Sequence, residues 1–148
     1  MISNLVLRYL ISNKIKDAKI LIKYGRCPAS MYIAGYAIEL ALKYKICRTL
    51  QFNQGFPENR QELSNYLTII NRNNPQPIAI DIRDIRNHDL NTLLFYSGVE
   101  LRIKGQFFAE WSIVSRWSPE NRYKKTRVLN KTAAEYPKAA AKIIREID

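Results

Sequence analysis

The chain has 148 residues and carries 24 Lys and Arg against 13 Asp and Glu, a formal charge of +11. The length fits one domain, 1–148, with room for a real core, and only 5 glycines and 6 prolines exclude a collagen-like or loop-rich sandwich chain. Such a charge favours a polyanionic partner, nucleic acid or another phosphate-bearing molecule; solubility alone is the competing explanation.

Asn4–Tyr24 is predicted helical, with Leu5, Leu10, Ile11, Ile15, Ala18, Leu21 and Ile22 apolar at helical spacing and a break or re-cap at Ser12-Asn13. Gly25 suits a C′ position, and Pro28 suits the first turn of the next helix, which runs to about Leu50. That helix, centred on Met31–Lys45, is apolar on nearly every face and is the expected central helix of the fold. Glu39 interrupts it, so it is too short and too charged for a membrane span. A carboxylate there must be paired, hydrogen-bonded or protonated. Two explanations stand side by side: a structural ion pair with Lys43 one turn later, or a site residue reaching across to another helix.

Cys27 and Cys47 sit at opposite ends of this helix, ~30 Å apart at helical rise, too far for a disulfide. Reduced core thiols imply a reducing compartment, and no signal-peptide order opens the chain, so a cytoplasmic location is expected. One histidine and two distant cysteines cannot assemble a soft metal site at the usual spacings, and no cofactor motif is present.

Gln51–Asn59 is a loop by composition, Glu58–Asn71 a short amphipathic helix, and Asn71–Pro77 a second loop. Ile78–Ile85 alternates with period two but has no strand to pair with, so an extended segment or a helical turn is expected. His88-Asp89-Leu90 opens a further helix ending at Ser97-Gly98, with Asp89 favouring its N-terminus. Val99–Trp117 is helical with Gly105 a weak point, and Ser118–Val128 is a basic connection. Asn130–Ile147 is the last helix, with Pro137 kinking or restarting it. The expected fold is an all-α, up-and-down bundle of five or six helices.

Two constellations can carry chemistry. In Arg83-Asp84-Ile85-Arg86-Asn87-His88, the single histidine is either a helix-start histidine or a general base for a ribose 2′-hydroxyl, with Arg83 or Arg86 as phosphate clamp. Glu39 can orient or charge that imidazole from the central helix. In Trp117–Lys125, aromatics interleave with basics, as for stacking bases and binding phosphates; the alternative is a helix-ending anchor with its cations in water.

These residues give the chain a resemblance to the HEPN family of helical, nucleotide- and RNA-associated domains. Ala34 and Glu39-Leu40-Ala41-Leu42-Lys43 fit its A-x-x-x-x-E-x-x-L-K-like helix. His88-Asp89-Leu90 with Leu93-Leu94 resembles its H-D-L-x-x-L-L run, and Arg122-Tyr123 its arginine-tyrosine-proline element, with Lys124 in place of proline. The resemblance spans about Lys14 to the C-terminus and implies a helical bundle, often dimeric. It also implies RNA or a nucleotide as ligand, and metal-independent endoribonuclease activity of toxin type with a nucleotidyltransferase antitoxin. Non-catalytic binding modules for a nucleotide or protein partner are the other class it admits. On the catalytic reading His88 is the base, Arg83 clamps the scissile phosphate, Glu39 orients or charges the imidazole, and Arg86, Lys43, Arg122, Tyr123 and Lys124 hold substrate. Family ribonucleases carry their arginine–histidine pair late in the bundle, whereas this pair precedes the H-D-L helix. A symmetric homodimer is expected, both from the family and from aromatic surface near Trp111 and Trp117.

Overall fold

Apolar spacing at 3.6 residues dominates the chain, and helices dominate the structure. The computed structural model describes the backbone of residues 1–72, 74–123 and 130–148, and their side chains except at 122–123 and 130–133. Four longer helices, α1 (Asn4–Lys23), α2 (Cys27–Thr49), α3 (Arg60–Asn71) and α8 (Asn130–Ile147), frame it. Between α3 and α8 come α4 (Ile82–Ile85), α5 (Leu90–Ser97), α6 (Glu100–Gln106), α7 (Phe108–Val114) and a 3₁₀ turn at Pro119–Tyr123.

The central helix is α2, packed against α1, α5 and α8. Its apolar residues face all three: Ala34, Ala37, Ile38, Leu42 and Ile46 are fully buried. Ser30 at its start donates to the Ala18 carbonyl of α1 at 2.7 Å, tying the two helices together where they turn at Gly25. Gly25 has φ +70°, the left-handed conformation expected of a C′ residue. Cys27 and Cys47 are both buried and no disulfide joins them; burial pushes the Cys47 thiol up to about 12.

Three details depart from expectation and a fourth segment is narrowed. Ser12-Asn13 does not interrupt α1, which runs unbroken from Asn4 to Lys23 because two polar side chains cost a helix interior only a few tenths of a kcal/mol each. Gln51–Asn59 holds a short strand, β2 (Gly55–Phe56), paired antiparallel with β1 (Ile2–Ser3). Ile78–Ile85, expected as an extended segment or a helical turn, holds both: an extended run and the single turn α4, where Asp81 and Asp84 form a capping box. Val99–Trp117 is two helices, parted at Phe107 rather than at Gly105. These last two make the helical segments eight among the described residues, where five or six were expected.

Pro137 lies inside a continuous α8. Trp111 and Trp117 are 3% and 6% exposed, covered within a single chain, so neither needs a second copy to bury it. No helix among the described residues is long and apolar enough to cross a membrane.

Candidate functional site

Glu39 lies in the middle of α2 with 1% of its surface exposed. Burying a carboxylate costs several kcal/mol, on the order of the whole stability of a domain, unless partners replace the lost water. Glu39 has two. Lys43, one turn along α2, donates from Nζ to Oε1 at 2.6 Å, and His88 meets Oε2 through Nδ1 at 3.0 Å. Of the two explanations open at the sequence level, the ion pair with Lys43 is present, and Glu39 also contacts His88 in the link before α5.

Local wiring delivers His88 to that carboxylate. The Asn87 amide donates to the carbonyls of Arg83 and Asp84 at 3.3 and 2.6 Å, closing the end of α4. Asn87 also accepts from the Asp89 backbone N–H at 2.9 Å, while the Asp89 carboxylate caps α5 at the Thr92 N–H. His88 sits between these two anchors, and α5 packs on α2. The imidazole is 63% exposed although its partner is buried.

A carboxylate only accepts, so His88 presents Nδ1–H to Glu39 and keeps the Nε2 lone pair for whatever approaches from solvent. This acid–imidazole arrangement holds the ring in one orientation, with Nε2 toward solvent. Lys43 is itself buried, and its ammonium lies 5.4 Å from the Phe56 ring centroid. Its charge thus serves the Glu39 carboxylate rather than solvent.

Tyr36 joins this group one turn before Glu39. Burial, then the negative charge of Glu39, then Tyr32 push its hydroxyl above the usual tyrosine range. Its ring stacks on Trp117 at 6.5 Å and lies under the Lys14 ammonium at 5.1 Å. Trp117 can approach so closely because position 35 is glycine: a Cβ there would stand 2.1 Å from its Cδ1. The indole N–H donates to the Tyr32 carbonyl at 3.1 Å, and the 3₁₀ turn that follows packs on α2. The expected anchor role of Trp117 is therefore observed. Tyr36 lies on the same helical stripe as Glu39 and Lys43, but one tyrosine among 9 carries no sequence signal for a site.

The other expected residues are placed differently. Arg83 turns back onto Asp81, Nε to Oδ1 at 2.9 Å, with 78% of its side chain exposed. Among the described residues it makes neither a hydrogen bond nor an ion pair with Glu39 or His88. Arg86 is exposed just past α4. Arg122 and Tyr123 lie in the 3₁₀ turn by backbone alone, and Lys124 lies outside the described residues. A cleft of about 350 Å³ opens between α3 and the Ile80–Ile82 segment, lined by Arg60 and Asp81.

Comparison with family models, curated proteins and solved structures finds no match to this chain.

Proposed function

We propose that this chain is an HEPN-like helical protein directed at RNA, in which His88 is the general base of a metal-independent endoribonuclease. The observation that carries the reading is the 3.0 Å contact between a buried carboxylate and an exposed imidazole, on a chain of charge +11. Nε2 of His88 takes the proton of a ribose 2′-hydroxyl, whose oxygen attacks the adjacent phosphorus. Arg86 neutralises the non-bridging oxygens. The 5′-oxygen leaves with a proton returned by the imidazolium or by water, and the product end is a 2′,3′-cyclic phosphate. Glu39, held by Lys43, stabilises the imidazolium between the two proton transfers. Arg122, Tyr123 and Lys124 are the proposed contacts to flanking nucleotides, and a cytoplasmic homodimer with a nucleotidyltransferase antitoxin completes the reading.

A second reading has its own support. Arg83 is spent on Asp81, and Lys43 on Glu39, so the polar network is satisfied without a ligand. That favours a non-catalytic module binding a nucleotide or a protein partner.

One experiment separates them. End-labelled RNA is incubated in EDTA with the wild type and with His88→Ala. The catalytic reading expects cyclic-phosphate ends from the wild type, a loss of ~10² or more in rate in the variant, and RNA affinity unchanged within about twofold. An intact RNA with wild type in EDTA assigns the chain to the binding class. RNA affinity itself should fall by ~10³ or more across a few-fold rise in salt if about six phosphates are contacted; a flat response removes RNA as the partner.

A further inference from the structure

On the side of α2 shared with α1 and α8 lies a cleft of about 310 Å³. Its walls are apolar: Ile11 of α1, Ala41 of α2, Ile144 and Ile147 of α8. Ala41 and Ile147 are almost fully buried and form its floor. Two guanidiniums, Arg8 from α1 and Arg145 from α8, join the lining together with Ser12 and Tyr44.

The two arginines have different standing. Arg145 lies in the last turn of α8, where a cation complements the helix dipole. Arg8 lies in the second turn of α1, whose first turn holds no acidic residue, so the dipole opposes it there. Neither makes an ion pair among the described residues. Asp148 also lines the cleft, but Arg48 holds its carboxylate at 3.2 Å and Lys45 its main-chain oxygen at 2.9 Å. Arg102 adds a further cation, bonded to the Glu146 carbonyl. Burial first, and then the charges of Arg48 and Arg102, lower the Lys45 ammonium against the opposing pull of Asp148, so positive charge is crowded on this end of the molecule.

We infer that this cleft binds a small organic anion, a carboxylate or monophosphate carried on an apolar body, with the head group between Arg8 and Arg145 and the body against Ile11, Ile144 and Ile147. The volume suits a ligand of this size, and apolar walls with a few convergent polar groups are the usual make-up of a small-molecule site. A guanidinium is the natural receptor for either head group, and two line this one cleft. The inference is independent of His88 and of RNA cleavage.

The test uses the full chain and four probes: phenyl phosphate, octanoate, inorganic phosphate and benzyl alcohol. Binding is followed by the NMR signals of Ile11, Ile144 and the Tyr44 ring. At least one of the two amphipathic anions should shift these signals saturably, at least tenfold more tightly than inorganic phosphate or benzyl alcohol; the tighter of the two identifies the head group. Arg8→Gln and Arg145→Gln should each weaken it about tenfold or more, with the far-UV spectrum unchanged because both side chains are exposed. Affinity equal to that of inorganic phosphate, affinity retained in the double variant, or shifts confined to other residues would overturn the inference. Signals that move with protein concentration alone would overturn it too, by making a second copy the occupant.

Discussion

Two acid–base pairs of nearly equal length differ in almost everything else. Glu39 and His88 meet at 3.0 Å, Asp81 and Arg83 at 2.9 Å. The first pair joins α2 to the link between α4 and α5, 49 residues away in sequence, with its carboxylate inside the core and a lysine bonded to the same carboxylate. The second joins residues two apart, with a mostly exposed guanidinium and a carboxylate that also reaches solvent. Distance is thus a poor guide to what a pair contributes: water screens the exposed one, while burial makes every partner of Glu39 matter. The comparison also shows how an arginine and a histidine five positions apart in sequence come to serve different ends. Arg83 completes a helix cap, whereas His88 reads a buried charge.

The comparison breaks most readily at Glu39. Glu39→Ala leaves Lys43 buried without its carboxylate and should cost ~3–5 kcal/mol in urea denaturation. Replacing the pair together, Glu39→Met with Lys43→Leu, should cost clearly less than Glu39→Ala; a cost as large would mean the charges themselves hold the fold. Gly35→Ala tests the neighbouring contact without touching a charge. Its Cβ must displace Trp117, and the expected loss is about 1–3 kcal/mol with a red shift of tryptophan emission. His88→Ala leaves the buried Oε2 of Glu39 without its hydrogen bond and should cost about 1–2 kcal/mol, so its activity is read at a temperature where urea denaturation shows the variant still folded.

The smallest effect is expected at Asp81. Its carboxyl is held below the usual range by the Arg83 backbone N–H first and by the Arg83 guanidinium second. A depressed folded pKa gives stabilisation that is present above the unfolded carboxylate range and lost as pH falls through the folded value. The urea midpoint of Asp81→Asn, which keeps a capping oxygen, should therefore lie close to wild type at neutral pH and converge on it further as pH falls. A gap that widens on acidification would contradict this sign.

How much of this was legible in the sequence depends on what each feature rests on. Helix α2 was legible because its apolar residues cover every face, and the chain's capping residues Asp89 and Gly25 announce their own geometry. The Glu39–Lys43 pair follows from helical spacing alone. His88 as a second partner of Glu39 was open, since 49 residues separate them and only packing of α5 on α2 closes the gap. Arg83 illustrates the limit. Its spacing from His88 invited a shared role, but Asp81, two residues away, competes for the guanidinium more effectively than a distant carboxylate can. The strand pair escaped because two-residue ladders have no period to detect, and the break at Phe107 because neither flanking residue is a helix breaker.

That strand pair has a consequence for how the molecule breathes. Gly55 has φ +148° and lies so close to the Ile2 carbonyl that a Cβ would stand 2.2 Å from it. Its N–H and carbonyl are both bonded by the Tyr66 hydroxyl of α3 at 3.0 Å, and Tyr66 stacks on Phe52 at 4.7 Å. A ladder this short cannot protect an amide by itself. Slow hydrogen exchange at Gly55 would have to be lent by α3 through one phenol, so Tyr66→Phe should speed exchange there while leaving the amides of α2 at their original rate. The first residues of the chain, the loop after α2 and the helix α3 would then open as one unit, since the Met1 ammonium also bonds Glu58 and Glu62 and the Asn4 amide the Phe52 and Asn53 carbonyls.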